Sequence, residues 1–303
     1  MDHEQNKDKP KKKRGRKPKK DKPPVSKIES DEEVKEEVKE DEINGYDSSF
    51  SIKTIQSAAM RIFFMSLKKY CDIITLNITS EKITIVEVVN PVLIHSSLYQ
   101  VNFEEYTVDK DIQLHINLET FYNIIRYVKN DDYLTFQKNK SEKFWSFIVY
   151  NEDNKKSNKY DINLIDRKYV KPEIPKTEFN YEFTFPCENF KDLFKRTKHL
   201  QSDKLTVEVM GTTPIRFICK NSEVMSETKI SADCNGSSTD LFSEDLPYKE
   251  MALCIHFSDL CNSISLYVKD DYPLIIKYTV ASLGNIKFCF APIEIENVFT
   301  MMN

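Results

Sequence analysis

Hydrophobic and polar positions follow two different periods between residues 50 and 297. Runs with the 3.6-residue period predict helices at 52–70 and 118–128. Runs with the two-residue period, or with continuous apolar character, predict β-strands at 73–79, 83–89, 95–103, 112–116, 133–137, 144–150 and 160–165. In the first helix an apolar stripe lies opposite a cationic face; the stripe is Ile52, Ile55, Ala59, Ile62, Ser66 and Tyr70, and the cations are Lys53, Arg61 and Lys68.

The same order of elements restarts after the proline-rich run VKPEIP at 170–175. We interpret this run as a linker, because proline interrupts regular structure. A helix is predicted at 188–200, with weakly structured residues up to 249 and an apolar run at 251–256. Strands are predicted at 179–185, 205–210, 215–220, 227–232, 274–280 and 286–290. Each half reads helix, strands, helix, strands, which indicates an internal duplication.

Composition indicates a protein with a large buried core. Hydrophobic residues make up 40% of the 303 positions, aromatic residues 12%, and glycine occurs only five times. No apolar run approaches the ~20 residues needed to span a bilayer, and no signal peptide starts the chain. The seven cysteines form no CxxC pair, so we expect reduced intracellular thiols.

Charge is concentrated in two blocks before residue 43. Residues 1–27 hold twelve Lys or Arg against four acids, and residues 28–42 hold nine acids against two Lys. Neither block contains core-forming aromatic residues, so we expect both to be disordered. The basic block allows four roles: a nuclear localisation signal, an unspecific DNA tether, an AT-hook built on Arg14 and Arg16, or a spacer. Lys17 stands where an AT-hook normally has proline.

The sequence contains no motif that predicts catalysis. It has no phosphate-binding G-x-x-x-x-G-K-[ST] run, no HExxH pair and no paired carboxylates in a catalytic setting. The five histidines are dispersed, and His95 and His115 fall in β-rich runs, where a structural histidine is more common than a general base. We therefore expect a non-enzymatic protein without a cofactor or a metal site.

The last thirty residues carry the most specific pattern. Pro273 precedes an apolar strand, Gly284-Asn285 makes a turn, and a second strand ends at Ala291-Pro292 before acidic residues. This order resembles the C-terminal hairpin of the proliferating cell nuclear antigen (PCNA) family of sliding clamps. Further similar runs lie in family order at HINL (115–118) with the turn KNDD (129–132), YDINLID (160–166), Ile174-Pro175 and 186–200. The resemblance covers about residues 50–297, and the Lys-, Asn- and Ile-rich composition fits a large DNA virus.

The resemblance implies an α+β fold with two similar clamp domains, each with antiparallel sheets and helices on one face. The expected divisions are a disordered tail at 1–49, domains at 50–166 and 179–297, an interdomain connector at 167–178 and a tail at 298–303. Three chains are expected to close into a ring by pairing the edges 160–165 and 227–232. The expected subunit-interface residues are Tyr160, Ile162, Leu164, Thr228 and Ile230.

The function implied is that of a DNA polymerase processivity factor, which encircles duplex DNA and docks replication and repair partners. Expected partners are DNA, a polymerase, a clamp loader and other peptide-motif proteins, in the nucleus or at a cytoplasmic viral replication site. Two alternatives stay open: a subunit of a heterotrimeric checkpoint-type clamp, and a monomeric DNA-binding accessory factor tethered by its basic tail.

Two sets of site residues follow from the resemblance. Cations on the helices are expected to face the duplex: Lys53, Arg61, Lys68, Arg126, Lys191, Lys195 and Lys198. Arg14 and Arg16 are further DNA-binding candidates from the AT-hook interpretation of the tail, a segment that the clamp family usually lacks. A partner plug is expected to bind against Val88, Val92, Leu93, Ile174, Pro175, Pro273, Phe290, Ala291 and Pro292. Asn90-Pro91 departs from the family pattern in this pocket. The spacing before Pro273 leaves only 257–263 for a fourth helix, without the cations expected there.

Overall fold

The computed structural model describes residues 48–172, 174, 177–211, 214–236, 241–270 and 272–293. Its first half contains nine strands and two α-helices. In chain order these are β1 (Ser48–Thr54), α1 (Ser57–Leu67), β2 (Ile73–Ile78), β3 (Lys82–Val89), β4 (Val92–Tyr99), β5 (Glu105–Val108), β6 (Ile112–Asn117), α2 (Leu118–Ile125), β7 (Asp132–Asn139), β8 (Phe144–Asn151) and β9 (Lys156–Asn163).

The second half repeats this order within the described residues. Its elements are β10 (Tyr181–Pro186), α3 (Cys187–Thr197), β11 (Lys204–Met210), β12 (Ile215–Lys220), β13 (Met225–Ile230), β14 (Asp233–Gly236), β15 (Leu241–Pro247), α4 (Tyr248–Leu253), β16 (Ser263–Val268), β17 (Leu274–Val280) and β18 (Gly284–Phe290). Each half is one strand, a helix, five strands, a helix and three strands. The predicted duplication is therefore confirmed.

The strands form three antiparallel sheets. A five-stranded sheet, β5-β1-β7-β8-β9, belongs to the first half, and a four-stranded sheet, β13-β12-β11-β15, belongs to the second. A nine-stranded sheet, β14-β10-β16-β17-β18-β4-β3-β2-β6, draws strands from both halves. The halves meet where β18 pairs with β4, with Gly284 opposite Leu98 and Phe290 opposite Val92. A Cβ on Gly284 would lie 2.0 Å from the Ser97 carbonyl oxygen, so this contact requires glycine.

The helices pack on one face of the sheets over a continuous core. Helix α1 buries Met60, Phe63, Phe64 and Leu67, which recur at the spacing of one helical face. Tyr70, just after α1, connects the two halves. Its ring stacks on Phe288 with centroids 5.1 Å apart, and its hydroxyl donates to the Glu250 carbonyl oxygen at 2.7 Å.

The start of the first helix was predicted too early. Residues 48–54 form β1, so Ile52 and Lys53 lie on a strand. Phe50 and Ile52 alternate inward from that strand and are fully buried, whereas Ile55 is 47% exposed. Ile52 satisfied both the helical and the strand period, and the helical interpretation was wrong at this position.

The fourth helix was also predicted in the wrong place. Helix α4 lies at Tyr248–Leu253 and continues as a 3₁₀ helix at Cys254–Phe257, instead of occupying 257–263. The stretch interpreted as weakly structured contains β15, whose polar centre, Ser243 to Asp245, obscured the strand period. Lys249 and His256 therefore place basic side chains on this helical segment, contrary to the expectation of none.

Candidate nucleic-acid and partner interfaces

Most of the predicted cations of the first half are engaged by other side chains. Lys53, on β1, pairs with Glu105 at 3.1 Å. Arg61 donates to the Val128 carbonyl oxygen and to Asn130 Oδ1, the latter at 2.8 Å. Of the other two predicted cations, Lys68 is paired with carboxylates and Arg126 is not. Lys68 hydrogen-bonds to Asp72 and Glu119, at 2.8 and 3.2 Å, which raises its pKa. Arg126 is exposed and lies over the Tyr127 ring, 4.7 Å from its centroid.

The second half presents its predicted lysines on one groove. Lys191, Lys195 and Lys198 line a groove of about 480 Å³ between α3 and the α4 segment, together with Phe194, Tyr248, Ala252, Ile255, His256 and Asp259. Lys191 pairs with Asp259 at 2.7 Å, a hydrogen bond that raises its pKa. Lys195 and Lys198 are exposed and have no carboxylate partner among the described residues.

One further cation of this region escaped the sequence reasoning. Lys69 follows α1, is exposed, and has no ion pair among the described residues. Burial is the main cause that lowers the pKa of the His256 imidazole, and the nearby positive charge of Lys69 lowers it further. The position of Lys69 beside Lys68 was a usable signal. Among the described residues, Lys69, Arg126, Lys195 and Lys198 are therefore exposed cations of the helical side that have no carboxylate partner.

Strands β9 and β13 each end a sheet. One side of each backbone therefore has no strand partner within the described residues. On β9, Tyr160 and Ile162 are half-buried, and Leu164, just beyond its end, is 37% exposed. On β13, Thr228 is half-buried and Ile230 is buried. A groove of about 300 Å³ runs beside β9 and is lined by Ile124, Tyr127, Val128 and Tyr160 among others.

A small apolar cluster lies on the face of the nine-stranded sheet away from the main core. We call it the outer patch: buried Leu93, Ile275, Cys289 and Ala291, with half-buried Ile174, Phe179, Tyr267 and Tyr272 packed on them. Cross-strand pairing explains the grouping, because Cys289 stands opposite both Leu93 and Ile275, and paired residues share a face. Three of these eight were predicted partner residues.

The remaining predicted partner residues divide between the two faces. Val92 and Phe290 are fully buried in the main core, one residue out of phase with Leu93 and Ala291, so the expectation that they line an outer pocket was wrong. Val88 stands opposite Leu93 and is 40% exposed, so it borders the outer patch. Pro273, just before β17, and Pro292, just after β18, are both buried at the open end of the hairpin. The two-residue period around Ala291 would have identified Cys289.

The segment that follows β9 is hydrogen-bonded to the outer face of the nine-stranded sheet, the face that carries the outer patch. The Arg167 guanidinium forms two hydrogen bonds to the Glu87 carboxylate, at 3.1 and 3.0 Å, and the Glu87 side chain is only 5% exposed. Glu87 also accepts from the Thr75 backbone N–H at 2.7 Å. The Tyr169 hydroxyl donates to the Val86 carbonyl oxygen at 2.6 Å. Arg167 and Glu87 are 80 residues apart, and no local pattern linked them.

A groove of about 510 Å³ lies between this segment and the sheet. Its lining is Val86, His95, Lys171, Pro172 and Ile174. Burial lowers the pKa of His95 to about 4, with help from nearby Lys287, Lys82 and Lys171. The imidazole is therefore neutral at pH 7. The groove adjoins the outer patch through Ile174, which belongs to both.

Several expectations concern residues outside the described part of the chain. These are the N-terminal tail up to Asp47, the C-terminal tail at 298–303, Arg14, Arg16 and Pro175. Within the described residues no three His, Cys, Asp or Glu side chains converge as metal ligands. In the same part of the chain, no helix combines the length and apolarity that crossing a membrane requires.

The known proteins that the chain resembles are DNA sliding clamps. The family described as "Proliferating cell nuclear antigen, N-terminal domain" matches residues 49–170. "Probable DNA polymerase sliding clamp 1" of Paramecium bursaria Chlorella virus 1 is 26% identical over 257 residues, covering 80% of this chain and 97% of that protein.

Two further relatives agree. "Probable DNA polymerase sliding clamp" of Acanthamoeba polyphaga mimivirus is 25% identical over 228 residues, 69% of this chain but only 46% of that protein. The "Proliferating cell nuclear antigen" of Chaetomium thermophilum is 22% identical over 209 residues, covering 66% of this chain and 80% of that protein. The match of residues 49–170 to the PCNA N-terminal domain and the three sliding-clamp relatives, together with the duplicated halves and the shared nine-stranded sheet, support a divergent clamp of the PCNA family.

Proposed function

We propose that this chain is a non-enzymatic processivity factor for a DNA polymerase, which closes as a homotrimer around duplex DNA. The observation that carries the proposal is that each half has a strand at a sheet edge: β9 ends the five-stranded sheet and β13 ends the four-stranded sheet. Pairing β9 of one chain with β13 of the next would cover both edges and repeat around a closed ring. Tyr160, Ile162, Leu164, Thr228 and Ile230 are the proposed interface residues.

The helical side is the proposed DNA-facing surface. A clamp that slides needs many weak contacts to phosphate and no base-edge hydrogen bonds. Lys69, Arg126, Lys195 and Lys198 are suited to this role, because each is exposed and without a carboxylate partner among the described residues. Lys53, Arg61, Lys68 and Lys191 are held by protein partners and supply weaker contacts.

The outer patch is the proposed docking site for partner proteins. Its apolar side chains lie beside the connector at 167–178, between the proposed domains 50–166 and 179–297. A short apolar-aromatic plug from a polymerase, a clamp loader or a repair protein would bury this surface. The site of action would be the nucleus or a cytoplasmic viral replication site, and no cofactor is required.

A processivity assay on a primed circular template tests the DNA-facing surface. We expect Lys195→Ala with Lys198→Ala to reduce loading on every template sequence, and to lower the log–log salt slope of binding by about 0.9 for each phosphate that the variant no longer binds. Lys110→Ala with Lys155→Ala, two exposed lysines in loops of the first half, is the matched control. A sequence-selective decrease, or an equal decrease in the control, would contradict the sliding mechanism.

Light scattering tests the ring. We expect a mass of three chains at micromolar concentration, and a shift to monomer when Ile162→Lys places a charge on the β9 edge. A wild-type chain that remains monomeric, with DNA affinity that depends on residues 1–27, would favour the tethered accessory factor instead.

A further inference from the structure

The outer face carries a group of lysines that the sheet itself does not neutralise. We call it the cationic row: Lys82, Lys277 and Lys287 on strands and Lys171 on the connector, arranged around His95. In the sheet register His95 stands opposite Lys287, and Lys287 stands directly opposite Lys277. Like charges placed directly across an antiparallel pair destabilise a sheet. The fold therefore holds an unfavourable arrangement at this point.

The described carboxylates leave this charge uncompensated. Lys82, Lys171 and Lys287 have no carboxylate oxygen within 4.0 Å among the described residues. Lys277 makes a hydrogen bond of 3.3 Å to the Tyr267 hydroxyl, which in turn donates to Glu182 at 2.8 Å. The neighbouring Glu87 is already committed to Arg167. The depressed pKa of His95 reflects the same positive surroundings, after burial.

The cationic row is next to the outer patch on one continuous face. Lys287 and Cys289 are two residues apart on β18, and His95 and Leu93 are two residues apart on β4, so each pair is separated by roughly 7 Å along its strand. Lys171 and Ile174 extend over the same groove from the connector. A peptide that covers the apolar residues would continue along the lysines.

We propose that partners of this clamp carry acidic residues immediately beside the apolar plug, and that these Asp or Glu side chains bind the cationic row. The inference rests on the proposed docking function of the outer patch, and specifies the chemistry of the partner. Several carboxylates along an extended segment match lysines spread over adjacent strands, and their approach would relieve the Lys277–Lys287 repulsion. A peptide is favoured over duplex DNA because the connector residues Lys171, Pro172 and Ile174 form one wall of the groove, so that an extended chain can lie between them and the sheet.

The experiment uses the full chain and three fluorescent synthetic peptides. All three share one plug of leucine and phenylalanine. The acidic peptide has Asp and Glu beside the plug, the neutral peptide has Asn and Gln there, and the third peptide has Lys. Fluorescence anisotropy at low and at physiological salt gives each Kd. We expect the acidic flank to bind about tenfold more tightly than the neutral flank at low salt, since exposed ion pairs each contribute modestly. Salt should reduce this difference, and the Lys flank should bind most weakly.

Two variants locate the effect. Lys171→Gln with Lys287→Gln should reduce the advantage of the acidic flank to less than about twofold while leaving the Kd of the neutral peptide unchanged. Lys110→Gln with Lys155→Gln is the control of equal charge change and should preserve the advantage. Ile174→Glu should weaken all three peptides, because it alters the outer patch itself.

The outcomes separate this inference from the docking function. If acidic and neutral peptides bind equally well, and Ile174→Glu weakens both, the docking site stands and the inference is overturned. If no peptide responds to Ile174→Glu, the outer patch is not the docking site and both proposals fall. If a single-stranded oligonucleotide displaces the acidic peptide at equal concentration, the cationic row is a nucleic-acid site and the inference of an acidic peptide partner is overturned.

Discussion

The Arg167–Glu87 pair allows a quantitative test of how the connector is held. Replacing Arg167 by Met keeps much of the side-chain volume but leaves the Glu87 carboxylate without its cation. Removing one partner of a buried ion pair costs about 3–5 kcal/mol. Glu87 is only 5% exposed, but the Arg167 side chain is 33% exposed, so we expect a loss at or just below the lower limit of this scale, about 2–3 kcal/mol in the free energy of unfolding.

Urea denaturation at fixed protein concentration measures this loss, because a self-associating chain changes its apparent stability with concentration. A second substitution, Glu87→Gln, removes the buried charge but keeps an acceptor for the Thr75 N–H. The double variant should therefore recover about 1–2 kcal/mol relative to Arg167→Met alone. Limited proteolysis of the connector should accelerate in the single variant.

Arg216 provides a matched control on strand β12. It pairs with Glu208 at 2.8 Å and Glu227 at 3.1 Å, but its side chain is 42% exposed. Exposed pairs contribute about 1 kcal/mol or less, so Arg216→Met should cost clearly less than Arg167→Met. Equal losses at the two sites, or strict additivity of Arg167→Met with Glu87→Gln, would refute the reasoning from burial.

Three other predictions concern single side chains. His95 has a folded pKa of about 4 against an ordinary 6.5. The unfolded chain therefore binds the proton more tightly, and stability should fall by up to about 3 kcal/mol as pH drops from 6.5 to 4. His95→Gln should remove that part of the loss in urea titrations at several pH values. Cys261 lies with its sulfur 3.8 Å from that of Cys187, whose thiol hydrogen bond lowers the Cys261 pKa. Iodoacetamide at pH 7 should alkylate it before any other described cysteine, and mass spectrometry showing Cys71 modified first would contradict this. Gly284→Ala should lower stability by about 1–3 kcal/mol through the clash with Ser97, and an unchanged melting temperature would show that the strands separate easily.

The fold was largely readable from local patterns, and the errors have specific physical origins. Strand β17 was predicted to the residue at 274–280. Gly284 was interpreted as a turn residue, yet it is the first residue of β18 and is required by the close approach of Ser97. The turn itself lies at 281–283, where Ala281 has a φ of 45°. A glycine in a sequence does not show which of its two properties, small size or conformational freedom, the fold uses.

The candidate surfaces were less readable than the fold. Helical phase correctly places Lys68 away from the core, but only the tertiary structure brings Glu119 to within 3.2 Å of it. Likewise Val92 and Leu93 are neighbours in sequence and face opposite sides of the sheet. Which of two adjacent apolar residues faces a partner depends on the register of a sheet assembled from distant segments.

The junction of β18 with β4 has a mechanical consequence. A continuous ladder from Gly284 and Leu98 to Phe290 and Val92 crosses the boundary between the halves, and Tyr70 braces the same boundary from the helical side. Bending one half against the other would shear this ladder along its whole length, so we expect each chain to behave as one stiff unit rather than as two hinged segments. In the proposed ring the compliant points are then the seams between chains. A protein that opened the proposed ring would act at β9 and β13, and the connector would transmit little of its force.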